Sequence, residues 1–309
     1  MVEIKSRTVT PYGETFIGVD IGKTKVAVGI ITQNGEIVAK DYLPTDMVKG
    51  GEAIIDQCRK LIHRMLGVSD IKPKGIGIGS SGVIDHKTGT ILSSGSIPNW
   101  QDIKIKKMFE KEFSLPVLVD NDVYVAALGE HFFGAGRGAN TSVFIVISTG
   151  IGFCTIHNGE IWRGTHNLAG QIAHIPLFDK GKTVNNLFSG KGISENASIL
   201  MGYNVTTEEV FRLASEGYRE AQQVVDLAIE GAALTIAWIQ NSVDPDVLIL
   251  GGGVAVSEEG FICSLRLKAE ELLTKYRAQL PKGLNVVRAK LGGDAGIVGG
   301  AAMCMSLKE

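Results

Sequence analysis

Thr15-Phe16-Ile17-Gly18-Val19-Asp20-Ile21-Gly22-Lys23-Thr24-Lys25 carries an apolar run into an acidic residue and then into a glycine turn. The run reads as a buried strand closing at Asp20. Residues 21–25 turn the chain, and residues 26–31 read as the returning strand. Asn34-Gly35 then supplies a hairpin turn into a third strand over 36–40. A helix is expected over 51–66, because Ile54, Ile55, Cys58, Leu61, Ile62 and Met65 recur at helical spacing. A short apolar strand over 75–79 follows it.

The second half opens the same way. Residues 143–148 read as a strand, Thr149-Gly150-Ile151-Gly152 as a turn, and 153–156 as the return, before Asn158-Gly159 leads into 160–163. Two such units half a chain apart suggest an internal duplication. A capping-box pattern at Thr206 and Glu209 starts a later helix. Residues 221–243 are apolar nearly all round, which predicts a buried helix. The strand at 247–250 ends in Gly251-Gly252-Gly253. Strands alternating with helices and closed by glycines argue for an α/β fold with ligands at strand ends.

The bulk numbers limit the alternatives. A chain of 309 residues, 44% hydrophobic and 21% charged, can bury two ordinary cores. A net charge of -2 gives no basic field for nucleic acid. No apolar run approaches the ~20 residues that span a bilayer, and the first residues lack the apolar core of a secretory signal. Cys58, Cys154, Cys263 and Cys304 form no C-x-x-C pair. These features lead to the expectation of a soluble, cytoplasmic protein with no nucleic-acid or membrane partner.

The glycine turns carry the chemistry. At Gly22 the backbone N–H groups can face a phosphate, with Thr24 and Lys25 adding a hydroxyl and a cation. Asp20, at the strand end, can hold a hydrated magnesium ion. An ordinary hairpin with solvated lysines explains the same residues equally well, and the spacing is not that of a Walker A loop. Thr149-Gly150-Ile151-Gly152 and Gly252-Gly253 offer two further turns in corresponding places. Asp122, read alone, is better explained as the N-cap of a helix starting near Val123.

Taken together, the chain from about residue 16 to 303 resembles the actin-like sugar kinases, and within them the ROK family. Residues 147–174 carry the strongest likeness: the Thr-Gly-Ile-Gly turn, Asn158-Gly159, Gly164, Ala169-Gly170 and His174. Asp120-Asn121-Asp122-Val123 resembles the family's catalytic segment, Ser96-Ile97-Pro98-Asn99-Trp100 its sugar loop, and the stretch from Gly293 to Ala301 its closing helix. The resemblance implies two ribonuclease H-like domains flanking a nucleotide and sugar cleft. Residues 1–120 with a C-terminal helix over about 294–309 would form the first domain, and 121–293 the second. It implies ATP and Mg2+ as cofactors, Asp122 as general base, and a homodimer. Asp20, Gly22, Thr24, Lys25, Thr149, Gly150, Gly152, Gly252 and Gly253 become nucleotide-side residues. Gly82, Asn99, Asn121, Gln171, His174 and Asn185 become sugar-side residues.

The family pattern breaks on the sugar side. Gln171 and Asn185 stand where family members carry glutamates, Ser81 stands where a proline precedes the glycine, and the stretch 182–190 lacks the zinc-binding cysteines. No zinc site is therefore expected. An amide both donates and accepts where a carboxylate only accepts, so the preferred sugar should differ from plain glucose. Two rivals follow from the same residues. A non-catalytic sugar or nucleotide binder is compatible with the altered pocket. A DNA-binding repressor would need a module for which the stretch before the first strand is too short.

Overall fold

A computed structural model of the chain describes residues 3–4, 13–68, 71–177, 181–257, 259–276 and 283–305. The chain begins β1 (Glu3–Ile4), β2 (Thr15–Ile21), β3 (Lys25–Thr32), β4 (Ile37–Pro44), α1 (Gly51–Val68), β5 (Ile76–Ser80), β6 (Val83–Asp85) and β7 (Thr90–Ser93). It continues through α2 (Ile105–Phe113), β8 (Val117–Asn121), α3 (Asp122–Phe133), β9 (Thr141–Ile147), β10 (Ile151–His157), β11 (Glu160–Ile161), α4 (Val184–Phe188) and α5 (Gly190–Met201). The last elements are α6 (Thr207–Ser215), α7 (Arg219–Val243), β12 (Val247–Gly251), α8 (Gly253–Ser257), α9 (Glu259–Tyr276), β13 (Val286–Arg288) and α10 (Ala295–Met305). The expected closing helix lies in α10, and its residues 306–309 are outside the described ones, as is most of the N-terminal segment.

The chain divides into two compact units, one running to Gly138 and resuming at Gly293, the other Ala139–Gly292. The division falls after α3, whereas the sequence placed it at residue 120. The reason is packing: α3 lies on α10 and β5 of the first unit.

In the first unit the sheet order is β1-β4-β3-β2-β5-β8. β2, β3 and β4 form an antiparallel meander, and β5 and β8 add in parallel. In the second, the order is β11-β10-β9-β12-β13. There β9, β10 and β11 form the antiparallel part, with β12 and β13 parallel to β9. The two sheets thus repeat one connection scheme, in line with the paired strand–turn–strand patterns of the sequence.

All six apolar positions expected on the core face of α1 are buried, and each of the Ile, Leu and Met side chains contributes roughly 1.5–3 kcal/mol by leaving water. On the first unit's sheet α10 packs against β2 and β5 with residues 295–304 buried. Contact is direct because glycine faces glycine: a Cβ on Gly77 would lie 1.9 Å from the Gly300 carbonyl oxygen.

In the second unit α7 buries Ala221, Val224, Ala228, Ala232 and Ile236 against neighbouring helices. It is not buried all round. Trp238 is 46% exposed and Trp162 is 53% exposed. Both line an apolar groove of about 410 Å³ with Phe153, Ile175 and Ile239. Thr206 caps α6 by accepting the Glu209 N–H, which is the Thr206 half of the expected capping box. No helix among the described residues is long and apolar enough to cross a membrane.

Candidate active site

In the first unit the strands β2, β5 and β8 end side by side, with Asp20 beside Gly79 and Gly79 beside Asp120. Gly79 has no side chain to obstruct the start of α3; a Cβ there would stand 3.5 Å from the Asp122 Cα. The tightest contact there is with Val125 of α3, whose Cβ would lie 3.2 Å from the added atom, and Asp122 stands near enough to Asp20 for its charge to act on it. Burial first, and then the negative charge of Asp122, push the Asp20 carboxyl up to about 7, with Lys25 pulling the other way. Burial likewise raises Asp122, against an opposing hydrogen bond from the Val123 N–H.

Asn121, not Asp122, is the N-cap of α3. Its Oδ1 accepts the Val123 N–H at 3.0 Å, while its Nδ2 donates to the Gly82 carbonyl at 3.1 Å. Both ends of the side chain are thereby engaged within the protein, and Gly82 at φ 120° is clamped beside the helix start. Asp122 uses Oδ1 to share the Val123 N–H at 2.9 Å. Its own backbone N–H adds a second hydrogen bond to the carboxyl group. Asp120 is buried, and its Oδ1 accepts the Asn121 N–H at 2.8 Å.

Asn99 is exposed at the end of a loop with φ 54°. Trp100 anchors that loop: it is 1% exposed, and its indole N–H donates to the Ser80 hydroxyl at 3.0 Å. The Gly22 turn is held by the Gly22 N–H to the Lys25 carbonyl at 3.0 Å and by the Thr45 hydroxyl to the Gly22 carbonyl at 2.7 Å. Thr24 is exposed, and Lys25 donates to the Gly293 carbonyl at 2.9 Å.

In the second unit Thr149 and Gly150 are exposed and Gly152 pairs with Val146 in the sheet. Gly252 sits at φ 90°, where a Cβ would come within 2.4 Å of the Ile147 carbonyl oxygen. The turn after β12 is thus pressed onto the end of β9. Beside these turns lies a cavity of about 370 Å³ lined by Ser148, Thr149, Gly190, Lys191, Thr207, Glu208 and Gly253. Gln171 and His174 are exposed on the segment after β11. Asn185, on α4, is half-buried and turns its Oδ1 onto the Ile151 N–H at 3.2 Å.

The ROK family pattern matches residues 16–306. The chain belongs to the ROK family. It is 32% identical over 313 residues to a glucokinase from Halalkalibacterium halodurans, covering 92% of this chain and 93% of that protein. The crystal structure of a ROK hexokinase from Thermus thermophilus superposes with a TM-score of 0.84 at 29% identity, over 93% of this chain and 97% of the other. A ROK glucokinase from Streptomyces griseus, solved with glucose and AMPPNP, gives 0.75 at 27% identity, over 94% and 98%. The fold is the actin-like fold of these ROK proteins.

For this ROK chain the cavity adds residues the sequence reading missed. Gly190, Lys191, Thr207 and Glu208 come from the starts of α5 and α6, and Thr207 donates its hydroxyl to the Gly190 carbonyl at 2.7 Å. The signal available was the pair of helix starts at Ser189 and Thr206, each a good N-cap; nothing local in sequence ties them to the Thr149 turn.

Asp20 suits a magnesium ion by its chemistry. A buried carboxylate whose proton affinity is raised by burial and by a neighbouring carboxylate is the environment a divalent cation relieves. Among the described residues no group of three or more His, Cys, Asp or Glu is placed to hold a metal ion. Magnesium commonly takes one or two carboxylates, with phosphate and water completing the shell.

The raised Asp20 value has a measurable consequence without any ligand. Its folded-state pKa of about 7 exceeds the ordinary 3.8. Between these values the folded state holds a proton that the unfolded state has lost, so stability falls as pH rises from about 4 to about 7. The ligand-free protein should lose several degrees of melting temperature between pH 5 and pH 8. Asp20→Asn should flatten that slope and melt higher at pH 8. Parallel slopes for the two proteins would contradict this account of Asp20.

Proposed function

We propose that this protein is an ATP-dependent sugar kinase that phosphorylates a hexose or hexose derivative at a primary hydroxyl, the 6-OH of a hexose, with Asp122 as general base. The observation that carries this reading is the environment of Asp122. A neighbouring residue takes the capping role, one carboxylate oxygen is fixed by a backbone N–H, and burial raises the proton affinity of the group. A base needs this combination: a held orientation and a pKa moved toward the working pH.

In the reaction the acceptor hydroxyl gives its proton to Asp122 as its oxygen bonds to the γ-phosphorus of ATP and the bond to the β-phosphate oxygen breaks. Gly82 and Asn99 supply acceptor-side contacts, with Asn121 holding Gly82 in place. Gln171 and His174 add the remaining polar groups for the sugar. The Gly22 turn with Thr24 and Lys25, the Thr149–Gly152 turn and Gly252-Gly253 take the nucleotide. Asp20 would hold a hydrated magnesium ion, which neutralises charge on the phosphate oxygens. The resemblance further leads us to expect a homodimer.

The test is ADP release with ATP and magnesium against glucose, allose, mannose, glucosamine, N-acetylglucosamine, N-acetylmannosamine, fructose and inositol. Turnover on one sugar well above glucose is expected, because Gln171 departs from the acceptor-only chemistry of a carboxylate and mismatched polar groups discriminate strongly. Glucose turning over as well as any other sugar would remove the shifted-substrate part. Nucleotide binding with no turnover on any would favour the non-catalytic binder.

A further inference from the structure

Asn185 joins three segments of the second unit. Its backbone N–H donates to the Ala173 carbonyl at 2.9 Å, next to His174. Its carbonyl accepts the Ser189 hydroxyl at 2.7 Å, and Ser189, fully buried, caps α5 by accepting the Gly192 N–H at 3.0 Å. Its side-chain Oδ1 accepts the Ile151 N–H at 3.2 Å. The following Gly190 N–H donates to the Ser148 carbonyl at 2.7 Å. The turn from Ser148 to Ile151 is therefore gripped at both ends from one short stretch of chain. Gly150 stands between, where a Cβ would already lie 3.4 Å from the Asn185 oxygen.

We propose that Asn185 is a positioning residue of the nucleotide turn, fixing the peptide plane that precedes Ile151, and that it acts there in place of contacting the sugar. The inference rests on the sugar kinase reading above. It also accounts for the residue type. An acceptor is required to hold the Ile151 N–H, and either an amide or a carboxylate provides one. A carboxylate would set a negative charge against a turn whose N–H groups serve an anionic ligand, in a site where such repulsion is weakly screened. The amide accepts the same bond without charge.

The experiment compares Asn185→Asp, Asn185→Ala and Thr183→Ala with the unaltered protein. ADP affinity is read by calorimetry, and KM is read for ATP and for the sugar, between pH 4 and pH 8.5, a range that reaches the ordinary aspartate pKa of about 3.9. The ionisable groups on the described elements packed around residue 185 are His174, Lys182 (bonded to Asn196 at 2.7 Å), Lys191 (paired with Glu195 at 3.5 Å), Glu208, and Arg219, Glu220, Asp226 and Glu230 of α7. They are present in every variant and cancel in the comparison. Asn185→Asp should weaken ADP and raise the ATP KM about tenfold at high pH, recovering as the new carboxyl is protonated at low pH, with the sugar KM moved less than twofold. Asn185→Ala should weaken both nucleotides without that pH dependence. Thr183→Ala removes the cap of the same helix and should leave nucleotide affinity unchanged.

A shifted sugar KM or sugar preference in Asn185→Asp, with ADP affinity and its pH profile unmoved, would overturn the assignment in favour of a sugar ligand. Equal losses in Thr183→Ala would reduce the residue to a structural support. Failure of the unaltered protein to bind ADP would remove the kinase reading itself, and would be visible before any variant is made.

Discussion

Asp122→Asn should lower kcat by about 10²–10⁴-fold while the protein folds and binds nucleotide normally. The substitution is nearly isosteric, so Oδ1 can still accept the Val123 N–H that it takes at 2.9 Å. The helix start does not depend on it, because Asn121 holds the cap. What disappears is the capacity to accept a proton from the attacking hydroxyl. The charge that raises Asp20 disappears with it, so Asp20 should titrate at lower pH in the variant and the melting temperature should not drop. The competing explanation, that residue 122 matters as a cap, makes the opposite forecast: asparagine is as good a cap as aspartate, and activity would survive. Asn121→Ala is the informative partner. It removes the true cap at a cost of about 0.5–2 kcal/mol and frees Gly82, so it should reduce stability and sugar affinity together. A coupled kinase assay run beside thermal melts separates the two variants.

The candidate site is legible in sequence to the extent that its residues sit on adjacent positions. Asp20 with Gly22, Thr149 with Gly150, and Asn121 with Asp122 are each carried on a single strand end, so a local pattern announces them. The strand–turn–strand units around β2 and β9 were equally visible, because a buried meander must show both its alternation and its turn residues. What sequence could not show were relations between distant segments. That Asn121 and not Asp122 caps α3 depends on the exit angle of β8 and on the Gly82 carbonyl, 39 residues away. That Asn185 reaches the Ile151 N–H, 34 residues away, depends on how α4 lies against β9 and β10. Gly190, Lys191, Thr207 and Glu208 line the cavity only because two helix starts converge there. Trp238 shows the complementary limit: its place in the apolar stretch 221–243 suggests burial, but at 46% exposure it lies on a groove edge, which tertiary packing decides.

Gly18→Ala should cost at least ~4 kcal/mol, enough to leave the first unit unfolded or its helix displaced. An added Cβ would fall 1.7 Å from the Ile297 carbonyl oxygen and 2.6 Å from its carbon. These are backbone atoms of α10, so no rotamer change relieves the clash and the whole helix must retreat. It cannot retreat freely. On its other contacts a Cβ at Gly299 would meet the Val125 carbonyl oxygen at 1.7 Å, and Gly300 lies directly over Gly77. The close approach of α10 to β2, β5 and α3 is thus one interlocked contact made of backbone. Displacement would also reach the chemistry, since Gly296 in the first turn of α10 rests against the Asp20 carboxyl, with a Cβ position only 2.5 Å from Cγ. A helix pushed outward would open that side of Asp20 to water and let its raised pKa relax toward an ordinary carboxylate. Gly67→Ala provides the contrast. It lies on α1 with nothing within 4 Å of the new methyl, and it should be neutral or stabilising by up to ~1 kcal/mol through helix propensity alone. Urea denaturation of both variants reads the difference. A folded Gly18→Ala protein with an unchanged midpoint would mean that α10 does not pack on β2 at backbone distance.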